Sequence, residues 1–129
     1  SVVEFLKFLK ESNIKIGLAT SNSHDLLEVV LKNNNIYDYF DAITITDEVS
    51  VGKHEPDVYL LAAKKLNLSP SECLVFEDIV QSIKGAKKAE MKVIGVADSR
   101  NLDDRDEIIS LTDKFITNFN EMIPKKILN

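Results

Sequence analysis

The sequence predicts an α/β fold, a parallel sheet with helices packed on both faces. Two observations predict it: short apolar runs alternate along the whole chain with stretches whose apolar residues recur at helical spacing, and the connections between them are short. The chain opens on a helix, with Val2, Phe5, Leu6 and Leu9 on one face, closed by Ser12-Asn13. IKIGLA, residues 14–19, reads as the first strand. A second helix is expected from about Leu26 to Lys32, where three asparagines break it, and AITIT, 42–46, reads as the second strand.

The loop 47–55, DEVSVGKHE, feeds a third helix, with Pro56 suited to its first turn and Val58, Leu61, Ala62 and Leu66 as its buried stripe. After the turn at Leu68-Ser69-Pro70 comes CLVF, 73–76, a short fully apolar strand running into Glu77-Asp78. A fourth helix carries Ile83 and Ala86 inward, and KVIGV, 92–96, is the fourth strand. A weak helix from Glu107 to Leu111 and a fifth strand, KFIT at 114–117, complete the pattern.

The chain has 129 residues, 44% hydrophobic and 29% charged, the range of one globular domain over residues 1–129. Sixteen Lys and Arg against twenty-one Asp and Glu give a net charge of -5, and no basic block interleaved with aromatics offers a track for nucleic acid. Cys73 is the only cysteine, so an internal disulfide and a Cys/His metal cluster are both excluded. No apolar run approaches the ~20 residues of a membrane-spanning helix, and the start lacks a signal-peptide pattern, so a soluble cytoplasmic protein is expected.

In an open parallel sheet, ligands bind beyond the carboxyl ends of the strands, and three polar clusters fall there. The first is Thr20-Ser21-Asn22-Ser23, which can present a hydroxyl and backbone N–H groups to an anion at a helix start. Capping the following helix uses only one of the four. The second is Lys53, a point charge that can reach over the strand ends. The third is Glu77-Asp78, adjacent carboxylates that suit a hard cation such as Mg2+, although one of them capping the next helix is the simpler account of the pair alone. Hydroxyl, cation and carboxylate pair on one sheet edge are together the parts needed to hold a phosphoryl group and its Mg2+. His24 and His54 have no second ligand at metal spacing, and Cys73 reads as a small core residue.

GLATSNS, then VGKHEPDVY, then LVFEDIVQSIKGAKKAEMKVIGV, resemble motifs II, III and IV of the haloacid dehalogenase (HAD) superfamily, in its β-phosphoglucomutase-like and phosphoglycolate-phosphatase-like branch. The resemblance implies a Rossmann-like core and a Mg2+-dependent phosphatase or phosphomutase acting on a small phosphorylated metabolite through an aspartyl-phosphate. It implies that Thr20 and Lys53 serve catalysis, that Thr20, Ser21, Asn22 and Lys53 bind phosphate, and that Glu77 and Asp78 bind Mg2+. His54, Ile79, Ser82 and Glu90 depart from the family pattern, Glu90 standing where that pattern has glycine.

Motif I, the Asp-x-Asp-Gly-Thr strand end that carries the nucleophile, is not matched, and Asp-Gly occurs nowhere in the chain. Asp47 follows the wrong strand and reads as a loop acid. The resemblance therefore implies a partial core over residues 1–129, lacking the nucleophile strand that lies between the equivalents of IKIGLA and CLVF, and lacking the cap domain. Such a chain alone is expected to be a very poor phosphatase. The two edges flanking the absent strand are expected to pair with each other or with a second chain. A non-catalytic interaction module that kept the fold is the alternative. A receiver-like domain fits less well, because its acids would follow the first strand and its lysine the last.

Overall fold

Each apolar run becomes a strand and each helical stripe a helix, in a computed structural model that describes residues 1–124. The order is α1 (Val2–Glu11), β1 (Gly17–Thr20), α2 (His24–Asn33), β2 (Ala42–Ile45), α3 (Asp57–Lys65), β3 (Leu74–Glu77), α4 (Val80–Lys88), β4 (Lys92–Val96), α5 (Arg105–Leu111) and β5 (Lys114–Ile116). All pairings are parallel, with Gly17 opposite Ala42, Leu74 opposite Lys92 and Ile94 opposite Lys114.

Strand ends differ from the sequence reading by a residue or more. β1 begins only at Gly17, because Ile16 is held off the ladder: its N–H donates to Asp41 Oδ2 at 2.7 Å and its carbonyl accepts from Asp41 N at 2.7 Å. β3 extends to Glu77, so the first acid of the pair lies inside the strand and is buried. On α3 the buried positions are Val58, Tyr59 and Ala63, while Leu61, Ala62 and Leu66 are half-buried. The shift arises because α3 packs against β1, β2 and also α4, which turns Tyr59 inward.

The sheet is in two parts, β1-β2 and β3-β4-β5, and the break falls between β1 and β3. The expectation that these two edges pair directly is not met. α3 packs beneath β1 and β2 and α4 beneath β3 and β4, and these helices touch one another. The two half-sheets thus lie over one layer of touching helices, yet no ladder joins β1 to β3. The facing strands are correspondingly under-covered: Gly17 is exposed, Leu18 to Thr20 are half-buried, and the apolar Leu74 is exposed.

One core nevertheless spans the break. Val58, Tyr59 and Ala63 of α3 join Ile83 and Ala86 of α4, Val93 of β4 and Ile108 of α5, with Ala19 of β1 and Val75 of β3 against them. Successive strand residues face opposite sides, so Phe76 points the other way, where it meets Phe5 of α1 and Phe119 with ring centroids 5.3 and 5.5 Å apart. Helices therefore cover both faces.

Four of the five named helices, α1 to α4, are followed by left-handed residues, while α5 runs into extended backbone at Thr112. Asn13, Asn35 and Asn67, which follow α1, α2 and α3, have φ of 59°, 58° and 57°, a conformation asparagine tolerates. Glu90 takes the same role after α4 with φ 64°. Among the described residues no helix is long and apolar enough to cross a membrane.

Candidate active site

The carboxyl ends of β1 and β3 and the loop after β2 converge on a cleft of about 640 Å³ lined by Thr20, Ser21, Asn22, Lys53, Ser82 and Arg100, among others. At β1 the four polar residues divide their work. Ser23 alone caps α2, its Oγ accepting from Leu26 N at 3.4 Å, while Thr20 Oγ1 accepts from Asn22 N at 3.1 Å and folds the segment back over the strand end. Ser21 and Asn22 remain exposed. Capping thus accounts for one residue of the four, and the others face the cleft.

Lys53 is held on three sides. Its ammonium lies 2.5 Å from Glu77 Oε2, with the Lys53 side chain 17% exposed and that of Glu77 8%. Tyr59 Oη donates to the same Glu77 oxygen at 2.7 Å. The loop carrying Lys53 runs against α4 at Gly85, where a Cβ would lie 1.9 Å from the Lys53 carbonyl oxygen. Burial pushes the Tyr59 phenol well above its ordinary value, with the charge of Glu77 adding to it, so the phenol stays protonated and donates.

Asp78 is half-buried, and neither it nor Glu77 caps α4, whose N-cap is Ile79 with no side-chain bond. Instead the backbone carbonyl of Asp78 accepts from Asn101 Nδ2 at 2.9 Å, and that amide also donates to the Val96 carbonyl at 3.0 Å, tying the end of β3 to the end of β4. Asp78 Oδ2 faces Arg100 at 3.6 Å. Arg100 is gripped by Asp98 through its Nε at 2.9 Å and Nη2 at 3.1 Å, which holds the Asp98 carboxyl at a pKa of about 2 and raises that of Arg100 further. Each of the paired acids therefore meets a cation that itself lines the cleft.

The donor set suits Mg2+. Two carboxylates at one strand end, with Glu77 Oε1 free of hydrogen bonds among the described residues and Asp78 partly open, match a cation that takes one or two carboxylates and completes its octahedron with water and substrate oxygens. No cluster of three or more His, Cys, Asp or Glu that could hold a metal occurs among the described residues. His24 is exposed, with Nε2 4.0 Å from Glu48, and His54 lines the cleft without a second ligand among the described residues. Cys73 packs against the core, where burial raises its thiol and makes it a poor nucleophile.

A family model described as haloacid dehalogenase-like hydrolase matches residues 1–90. This chain is a HAD-like hydrolase family member. Within the family it falls in the β-phosphoglucomutase-like branch. It is 37% identical over 101 residues to the phosphorylated carbohydrates phosphatase of Thermotoga maritima, 78% of this chain and 47% of that protein. To the β-phosphoglucomutase of Bacillus subtilis it is 36% identical over 104 residues, 81% of this chain and 45% of that protein. The crystal structure of β-phosphoglucomutase from Clostridium difficile superposes with a TM-score of 0.78 at 28% identity, covering 98% of this chain and 53% of that one. The HAD-like chain thus spans about half the length of the relatives it matches.

Sequence reasoning named six of the residues gathered here, Thr20, Ser21, Asn22, Lys53, Glu77 and Asp78. It missed Tyr59, Arg100 and Asn101. Arg100 sits in a polar stretch after β4, a strand end that could have been inspected like the other three. Tyr59 and Asn101 act through tertiary partners 18 and 23 residues away and left no local signal.

Proposed function

We propose that residues 1–129 form one partial HAD core that supplies the phosphate- and Mg2+-binding half of a phosphatase or phosphomutase for a small phosphorylated metabolite, a sugar phosphate above all. The observation that carries this reading is the single cleft on which Thr20, Ser21, Asn22 and Lys53 converge from two strand ends, with Glu77 and Asp78 directly behind the cations that line it. The relatives named for phosphorylated carbohydrates and phosphoglucose support the substrate class.

In this reading the Thr20 hydroxyl, the Ser21 backbone N–H and the exposed Asn22 side chain receive the phosphoryl oxygens. Lys53 balances their charge as a fixed donor in a partly dry site, where such a contact is worth more than in water. Glu77 and Asp78 would hold Mg2+, which when bound supplies charge neutralisation at the transferring group. The nucleophilic Asp that would form the aspartyl-phosphate comes from a strand outside these residues, seated between β1 and β3. With those edges empty, two copies of the chain pair through them; a sedimentation coefficient of a monomer at all concentrations refutes that pairing.

The test is hydrolysis of a panel of sugar phosphates by this chain, alone and mixed with a polypeptide bearing an Asp-x-Asp-Gly-Thr strand. The reading expects no turnover alone and turnover on mixing, lost in Lys53→Met. Turnover by the chain alone that survives Thr20→Val and Lys53→Met would sink it.

A further inference from the structure

The ammonium of Lys53 reaches the cleft from a loop, and a loop lysine is ordinarily a mobile, solvated point charge. Here it is not. Its loop is laid against Gly85 of α4, its ammonium meets Glu77 Oε2, and that oxygen also accepts the Tyr59 phenol from α3. Glu77 accordingly touches two donors from two different elements at one oxygen, and Tyr59 is only 2% exposed. The Lys53 ammonium also lies over the Tyr59 ring, 5.9 Å from its centroid, while the phenol itself is too deep to meet a ligand and does not line the cleft.

We propose that Tyr59 is the positioning residue of the lysine, its phenol locking the Glu77 carboxylate in the one orientation that aims the Lys53 ammonium into the cleft. This deepens the phosphate-binding reading of the cleft and rests on it for its consequence, though not for its geometry. With the phenol in place, Glu77 cannot rotate away from Lys53 without leaving a buried donor unpaired, so the cation is preorganised before any ligand arrives. The same bond leaves Glu77 Oε1 as the oxygen available to a cation, which divides the carboxylate between two tasks.

The experiment follows the Lys53 side-chain ammonium by nitrogen-detected NMR in the full chain and titrates the same samples with inorganic phosphate. In Tyr59→Phe, the exchange of the Lys53 ammonium protons with water is expected to accelerate roughly tenfold, the effect of losing one hydrogen bond to a charged group. Phosphate binding should weaken severalfold. In a Glu77→Gln background, where the lysine has already lost its partner charge, adding Tyr59→Phe should change the exchange rate by less than about twofold, because the hydroxyl acts on the lysine through Glu77 and the ring beneath the ammonium is kept in phenylalanine. A purely structural tyrosine would loosen the lysine equally in both backgrounds. Uniform 3-fluorotyrosine, which acidifies the phenol while keeping its shape, should shift the Lys53 signal and serves if Tyr59→Phe does not fold. An unchanged Lys53 signal in the fluorinated protein, or unchanged exchange in folded Tyr59→Phe, overturns the proposal. If phosphate binds neither protein while Lys53 exchange accelerates as expected, the seat stands and the phosphate-binding reading fails.

Discussion

Gly85→Ala is the perturbation whose magnitude the structure fixes best. In an exposed helix interior this change stabilises by about 1 kcal/mol, because alanine is the better helix former. At position 85 the new methyl would lie 1.9 Å from the Lys53 carbonyl oxygen, 2.9 Å from its carbonyl carbon and 3.0 Å from the Glu55 carbonyl oxygen. Ordinary contact begins near 3.4 Å, so α4 and the loop must part by about 1.5 Å, and both neighbours are backbone that cannot rotate aside. Overpacking of that kind costs about 1–3 kcal/mol. The net is a loss of up to about 2 kcal/mol, a fall of several degrees in Tm for a domain of this size. Lys53 retreats with its loop, so phosphate affinity falls more than stability does. Thermal unfolding by circular dichroism and phosphate titration by calorimetry read the two effects. A Gly85→Ala protein that is more stable than the parent and binds phosphate equally well would refute the packing of Lys53 against α4.

Glu90→Gly should act in the opposite direction. Glu90 holds φ at 64° at the end of α4, a conformation that costs an ordinary residue about 1–2 kcal/mol, part of which is returned as glycine's greater freedom in the unfolded chain. A gain of about 0.5–1 kcal/mol in urea unfolding is expected; a loss would mean the Glu90 side chain makes a contact worth more than the strain. Lys53→Met leaves Glu77 charged and buried beside Tyr59, and breaking such a pair costs about 3 kcal/mol or more, whereas Lys53→Met with Glu77→Gln recovers most of it in the same assay. Stability should also fall in acid. Lys10 bonds Asp41, Lys65 bonds Glu48 and Arg100 bonds Asp98, and all three carboxyls sit below their ordinary values of 3.8 or 4.5, Asp98 at about 2. A lowered value in the folded state stabilises above the ordinary value and is lost as pH falls through the folded one, so Tm should be level above about pH 5 and decline from about pH 4.5 toward pH 2. A Tm that is flat down to about pH 2 would show that these pairs are too exposed to matter.

The order of strands and helices was legible because each apolar run is short and each helix carries its own stripe. KVIGV at 92–96 matches β4 residue for residue. What was not legible was set by distant partners. Asp41 shortens β1 from 25 residues away, and Tyr59 turns inward because α3 must cover two strands and α4 together. Direct pairing of the β1 and β3 edges was a reasonable demand of unpaired backbone, but the structure keeps them in separate sheets, and no local pattern in either strand encodes that. In the site, residue types at strand ends announced Thr20, Lys53 and the Glu77-Asp78 pair. Which partner each would take, and that Arg100 rather than open solvent would face Asp78, depended on loops whose paths no local pattern encodes.

A phosphate site at the strand ends of this chain underlies every functional role proposed above. Amide and side-chain NMR shifts on titration with inorganic phosphate, with and without Mg2+, test it most directly. Saturable shifts are expected, confined to Thr20, Ser21, Asn22, Lys53 and the start of α4 around Gln81 and Ser82, strengthened by Mg2+ and lost in Lys53→Met. Shifts that never saturate, or that map elsewhere on the surface and survive Lys53→Met, would contradict it.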